Sequence, residues 1–271
     1  GCQVHAWFWT MNRAEASAVW LSVNANGESL ADHKAYVDYY KFMCPALPEV
    51  RQHLAGQVDR LAEVEGLAGI HMDYIRYVDA ILPVGLQPKY GLDQYRVFPE
   101  YDYGYHPYML RLYSEMYGKD VSDPVGLMDD PDWLQFRLEW LNRAVGEVRD
   151  RTLGHDLMST AAVFPTPDMA RRMVRQDWRG WNLDAFFPML YHNFYNEDID
   201  WIREMMKENR KSLPAGTRIY AGLYLPALQE GDDLTRAIRA ALQGGADGVA
   251  LFSLEDLDEG MKRQLRFLEE M

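Results

Sequence analysis

Cysteine is nearly absent, two in 271 residues, and two thiols build neither a disulfide framework nor a zinc site. Basic residues are also scarce: 28 Lys and Arg stand against 41 Asp and Glu, a net charge of −13. Nucleic-acid affinity rests on Lys and Arg neutralising phosphates, so this balance, with no basic stripe, argues against nucleic acid as a partner. Long apolar runs are missing as well. Charges interrupt each run well short of the roughly 20 residues of a membrane span, so none is expected, and no cleavable signal pattern opens the chain. G-x-G-x-x-G, the P-loop, H-E-x-x-H and G-x-S-x-G do not occur. The expectation is therefore no cofactor and no metal, and no serine nucleophile.

What remains is an ordinary globular composition, 48% hydrophobic and 25% charged, on which disorder is excluded. Aromatic residues are plentiful, with 17 Tyr, 10 Phe and 8 Trp. Their flat faces suit sugar rings, although most aromatics in any protein are core. The chain repeats one couplet, a short strand-like run followed by a longer stretch of helical period. The runs are Gln3–Trp9, Gly69–Tyr77, Met158–Phe164, Leu183–Tyr191, Arg218–Leu225 and Gly248–Glu255, with Tyr39–Cys44 as a weaker seventh. Helices are expected at Pro48–Glu65, Asp130–Thr152, Thr166 to about Trp178, Asn196–Arg210, Asp232–Gln243 and about Asp256–Glu270. Proline at the first helical position marks the first of these, and a Thr-Pro start marks the third. Apolar stripes such as Val50, Leu54, Val58 and Leu61, or Leu257, Met261, Leu265 and Leu268, mark their inner faces.

Strands alternating with helices predict a parallel sheet, either closed or doubly wound. Without a glycine-rich first turn the doubly wound fold loses its ligand site, so a (β/α)8 TIM barrel is expected, as one domain over residues 1–271. A barrel needs eight strands and seven are found. Either the first strand and helix are lacking from this chain, the favoured expectation, or Val19–Val23 is an extra strand. A segment of some fifty residues, Val78 to Asp130, interrupts the rhythm and carries nine tyrosines and phenylalanines. It is either a wall of the cleft or a packed subdomain over the helices.

Alternation along strands sorts interior from helix-facing positions. In Gly69–Tyr77 it sends Ile70 and Met72 to the helix layer and His71 and Asp73 inward, with Asp73 at the carboxyl end where barrel enzymes keep their catalytic groups. In Gln3–Trp9 it points His5, Trp7 and Trp9 inward, and in the last strand it places Glu255 at the top. Arg76, on the same count, projects away from Asp73. The two histidines are expected to be satisfied interior residues. Cys2 and Cys44, at opposite ends of strands about 20 Å long, are expected to be free thiols.

The runs QVHAWFW, CPALPEVR, GIHMDYIRY, FFPMLY and GVALFSLE, in this order and spacing, resemble the glycosyl-hydrolase-like family ten barrels. Those bacterial proteins carry H-A-W-F, N-P-x-x-P-E-V-R and G-I-H-x-D-Y-I-R-Y-P. The likeness runs from Gln3 to about Leu257, with Cys44 in place of Asn or Asp and Val78 in place of the final Pro. It implies a (β/α)8 barrel with Gln3–Trp9 as strand two and Gly69–Tyr77 as strand four, so that Val78–Asp130 follows strand four. It also implies activity on polysaccharide, including peptidoglycan glycan strands, an extracytoplasmic location, and Asp73 as the best-supported catalytic carboxylate.

Glycoside hydrolysis ordinarily takes two carboxyl groups flanking the bond. The expected pair is Asp73 and Glu255, with Glu100 or Asp102 as substitute partners. Substrate contacts are expected from His5, Trp7, Trp9, Tyr74, Arg76, Asp102, Tyr191 and Tyr224. The alternative is a non-catalytic carbohydrate-binding barrel with the same aromatic cleft and no competent acid pair. Sugar, linkage and oligomeric state are not specified by the sequence.

Overall fold

The structure, a computed structural model, describes residues 1–266. Six parallel strands alternate with helices: β1 Val4–Trp9, α1 Pro48–Ala62, β2 Leu67–Asp73, α2 Pro107–Tyr117, α3 Pro131–Leu153, β3 Met158–Val163, α4 Pro167–Val174, β4 Ala185–Pro188, α5 Ile199–Ser212, β5 Tyr220–Tyr224, α6 Asp233–Gln243, β6 Gly248–Phe252 and α7 Glu259–Leu265. Helices α1, α3, α4, α5, α6 and α7 each start within about three residues of an expected helix, and α2 was not expected. Proline occupies the first turn of α1, and the Thr166 hydroxyl accepts the Met169 N–H at the start of α4. Val50, Leu54 and Val58 are buried on α1, and Ile199, Ile202 and Met206 on α5. The expected last-helix residue Leu268 lies outside the described residues.

Strands β1 to β4 form one parallel sheet in sequence order, and β5 pairs with β6. Parallel bridges from Phe186 to Ile219 and from Met189 to Gly222 join the two into one curved ribbon. Gly222 is required there, because a Cβ would sit 2.9 Å from the Pro188 carbonyl oxygen. No hydrogen-bonded ladder joins β6 back to β1 among the described residues, so the barrel is open at that seam. Across it the rings of Trp7 and Phe252 stand 6.1 Å apart.

The strand count differs from expectation. Tyr39–Cys44 is not a strand: its backbone makes only single antiparallel bridges, Phe42 to Asn12 and Met43 to Leu21. The alternative extra strand, Val19–Val23, is likewise a short 3-10 turn at Ala18–Trp20 plus isolated bridges. β1 lies directly beside β2, with Ala6 opposite Ile70 and Trp9 opposite Asp73. The two therefore take consecutive places in the sheet, not second and fourth with a strand between.

Alternation holds where the strands are regular. Phe8, Ile70, Met72, Ala161, Val163 and Phe186 are buried toward the helices. His71 turns to the other face, where it bonds Thr160. The segment from Val78 to Asp130 is a packed subdomain. Tyr103, Tyr105 and Tyr113 are buried, and the rings of Tyr105 and Tyr113 pack on Trp133 of α3 at 5.2 and 5.0 Å. Tyr105 and Tyr113 thus shield helix α3, while Tyr90 and Tyr101 pack on Tyr36 at 5.9 and 4.7 Å. Both cysteines are free, Cys2 exposed and Cys44 buried.

Candidate active site

β2 ends at Asp73, and the next residue, Tyr74, takes a left-handed backbone conformation with φ 49°. That turn delivers the Asp73 carboxyl to the rim of the sheet, between β1 and the loop after β4. Its Oδ2 accepts a hydrogen bond from Trp7 Nε1 at 2.9 Å, and its Oδ1 accepts from the Tyr74 N–H at 2.7 Å. Burial pushes its pKa above the ordinary carboxylate value, against the opposing pull of these two bonds and of Arg76. A carboxyl whose protonated form persists to higher pH is suited to donate a proton.

Rings surround it. Trp7 stands 5.7 Å from Trp9, and Trp9 stands 4.7 Å from Tyr74. On the far side Tyr191, Tyr224 and Phe252 form a second group, with Tyr191 and Phe252 nearly parallel at 19° and 6.2 Å. The Tyr191 hydroxyl is pushed up by burial and then by the charge of Asp73. Trp7 is 55% exposed and Phe252 43%, leaving ring surface open to a ligand. Trp7, Trp9 and Tyr74 thus form one group of rings beside Asp73, and Tyr191 and Tyr224 belong to the second.

Five predicted residues fall elsewhere. Asp102 is fully buried, bonded to Arg137 at 2.8 Å, to Arg175 at 3.0 and 3.2 Å, and to the Tyr105 hydroxyl at 2.7 Å. It is a structural ion-pair centre with no free face for substrate. Arg76 is buried beneath Tyr74 and paired with Asp79 at 3.0 Å. The strand parity expected for it does not apply, because β2 has already ended. His5 sits four residues below Trp9 on β1, about 13 Å at roughly 3.3 Å per residue. There its Nδ1 lies 3.5 Å from the Thr160 hydroxyl, in the barrel floor. Glu255 is not on a strand but in a 3-10 turn, Leu254–Asp256, exposed and accepting from the Ser253 hydroxyl at 3.2 Å. No hydrogen bond joins it to Asp73 among the described residues. Glu100 is exposed, its carbonyl held by Asn24 at 3.1 Å.

Sequence reasoning missed two rim residues. Phe252 closes β6, and its position at a strand's carboxyl end was the available signal. Tyr39, 48% exposed and 6.1 Å from Trp9, comes from an irregular loop that offered none.

The floor itself titrates. Burial, then the neighbouring His5, holds His71 near a pKa of about 4, and its Nδ1 lies 2.9 Å from the Thr160 hydroxyl. The unfolded chain, with an ordinary histidine, therefore binds this proton more readily than the folded one. Stability is expected to fall as pH drops from about 6.5 to about 4, with no further loss from this group below that. Urea midpoints between pH 7 and 4 measure the slope, and His71→Asn should flatten it. An unchanged slope in the folded variant would show that the ring is solvated.

The open ribbon of parallel strands, with a carboxyl among aromatic rings at the strands' carboxyl ends, is similar in fold to two solved structures. The glycoside hydrolase domain of PgaB (BpsB) from Bordetella bronchiseptica is similar to it with a TM-score of 0.68 at 14% identity, over 96% of this chain and 74% of that one. The catalytic domain of beta-amylase from Paenibacillus polymyxa is similar with a TM-score of 0.56 at 10% identity, over 91% and 71%. No protein-family model matches the chain, and no curated protein matches it in sequence. Among the described residues no helix is long and apolar enough to cross a membrane, and no group of three or more His, Cys, Asp or Glu is placed to hold a metal ion.

Proposed function

We propose that this chain hydrolyses glycosidic bonds in a polysaccharide or oligosaccharide, as the resemblance to glycosyl-hydrolase-like family ten implies. The observation that carries the proposal is the Asp73 carboxyl, its pKa raised by burial, hydrogen-bonded to an exposed tryptophan and ringed by aromatic faces at the strand ends. Asp73 protonates the leaving glycosidic oxygen, and Trp7, Trp9, Tyr191, Tyr224 and Phe252 supply stacking surfaces for the sugars. Glu255 is the proposed second carboxylate, acting on the anomeric carbon directly or through water. It supports that role by standing three residues past Phe252, whose ring touches the Trp7 that binds Asp73. The same reading puts the protein outside the cytoplasm, where polysaccharide is met.

The second reading, a sugar-binding barrel without turnover, draws on the missing contact between Asp73 and any other carboxylate among the described residues. A panel of bacterial cell-wall and plant glycans, assayed for new reducing ends, separates the two. Hydrolysis of at least one glycan, reduced in Glu255→Gln, is the expected result. Glycan binding with no new reducing ends from any member of the panel would establish the binding barrel instead.

A further inference from the structure

Beneath the rim lies a second layer that the proposed chemistry does not use. The Arg76 guanidinium is enclosed by four rings, with centroids at 5.2 Å for Phe42, 5.3 Å for Phe164, 5.4 Å for Tyr74 and 5.8 Å for Tyr40. Its Nη1 donates to Asp79 Oδ2 at 3.0 Å and to the Tyr77 carbonyl at 2.9 Å. The Tyr40 hydroxyl donates to the same Asp79 oxygen at 3.0 Å, and the Tyr36 hydroxyl donates to the Asp79 carbonyl at 2.8 Å. Both charged side chains are buried, 8% exposed for Arg76 and 3% for Asp79. Tyr74 is the link upward: its ring lies against Arg76, and its N–H holds Asp73.

We propose that Asp79 is a positioning residue of the Asp73 site: paired with Arg76, it balances that buried cation and pins the turn that presents Asp73 to the rim. This rests on the reading of Asp73 as the proton donor. A buried ion pair is costly to desolvate, and replacing one with neutral groups is often neutral or stabilising. Stability alone therefore gives weak reason to place one under a reacting carboxyl. Electrostatics gives a better one. A lone guanidinium would favour the carboxylate form of Asp73 and remove its proton at working pH. Opposed by Asp79, its pull on Asp73 is weakened but not abolished, so it holds Tyr74 in place while burial still keeps Asp73 above the ordinary carboxylate value. The groups facing Asp73 are Trp7 from β1, Tyr74 and Arg76 from the turn, and Tyr191 from the loop after β4. Those facing Asp79 are Tyr36 and Tyr40 from the loop after β1, Arg76, and Tyr195 from the loop after β4.

The test is the titration of the Asp73 carboxyl by carbon NMR in the full chain, its signal assigned with Asp73→Asn. In Asp79→Asn, Arg76 is left unbalanced, and the Asp73 midpoint is expected to fall by about one pH unit. Asp79→Glu, which keeps the charge, is expected to restore it. In Arg76→Gln with Asp79→Asn, both charges go, and the midpoint should stay within about half a unit of the original, since a balanced pair has only a weak distant field. A folded Asp79→Asn protein that titrates like the original would overturn the proposal. So would a rise of about one unit or more in the double variant, because Arg76 would then act with its full charge. The double variant carries the test if Asp79→Asn alone does not fold. Because the titration needs no turnover, its outcome is separate from that of the glycan assay.

Discussion

Asp102→Ala is expected to lower the unfolding free energy by about 3–5 kcal/mol, the cost of leaving a buried charge uncompensated. The carboxylate is the shared partner of Arg137 and Arg175, and Arg137 is itself 0% exposed. Two of the Arg137 nitrogens, Nε and Nη2, already lack a hydrogen-bond partner in the protein. Removing Asp102 leaves that guanidinium with one carbonyl, Tyr103 at 3.0 Å, and the rings of Tyr105 and Trp133. Domains of this size are stable by only about 5–15 kcal/mol, so the urea midpoint should drop by about a fifth or more of its value. A loss below about 1 kcal/mol would mean that water reaches the arginines. The same centre sets an acid limit. Burial alone would raise Asp102, but the two guanidinium charges hold it at about 2. Because the folded carboxyl titrates below its ordinary value near 3.8, its stabilisation is complete above about pH 4 and is lost as pH falls toward 2. This window lies below the one that belongs to His71.

Asp73→Asn is expected to reduce turnover on any glycan the protein hydrolyses by about 10²–10⁴-fold, the usual contribution of a positioned acid or base. Glycan affinity should change little, because the stacking rings remain. The amide keeps the size of the carboxyl but has a single acceptor oxygen, so only one of the two donors, Trp7 Nε1 and the Tyr74 N–H, stays paired. The exposed Trp7 can turn to water, and the stability change should be about 1 kcal/mol or less. Turnover that survives the substitution, with affinity intact, would remove Asp73 from the chemistry. Loss of affinity and turnover together would make it a structural support for the rim.

Much of the site was legible because a strand has a fixed period. Once Gly69-Ile70-His71-Met72-Asp73 is read as a strand with Ile70 and Met72 buried, Asp73 and His71 must face the other way. Trp7 and Trp9 follow from the same alternation one strand over. Periodicity says nothing about where a strand stops, and there the sequence misled. Arg76 and Glu255 were placed by counting along strands that end at Asp73 and Phe252. One left-handed residue, Tyr74, turns the chain, and Arg76 passes beneath the rim, not outward from it.

Asp102 shows the other limit. In sequence it is an acid among tyrosines, a plausible partner for Asp73. Its true partners lie 35 and 73 positions along the chain, on α3 and just beyond α4. Tyr39 and Phe252 meet Asp73's neighbours the same way, from opposite ends of the chain. The sequence by itself determined the alternating α/β plan, the helix faces and the inward course of Asp73, because these follow from local period and capping. Tertiary structure alone decided which acids are free and which are locked in ion pairs, and where the sheet is left open. Such choices depend on which side chains the folded chain brings together and how far it shuts them off from water.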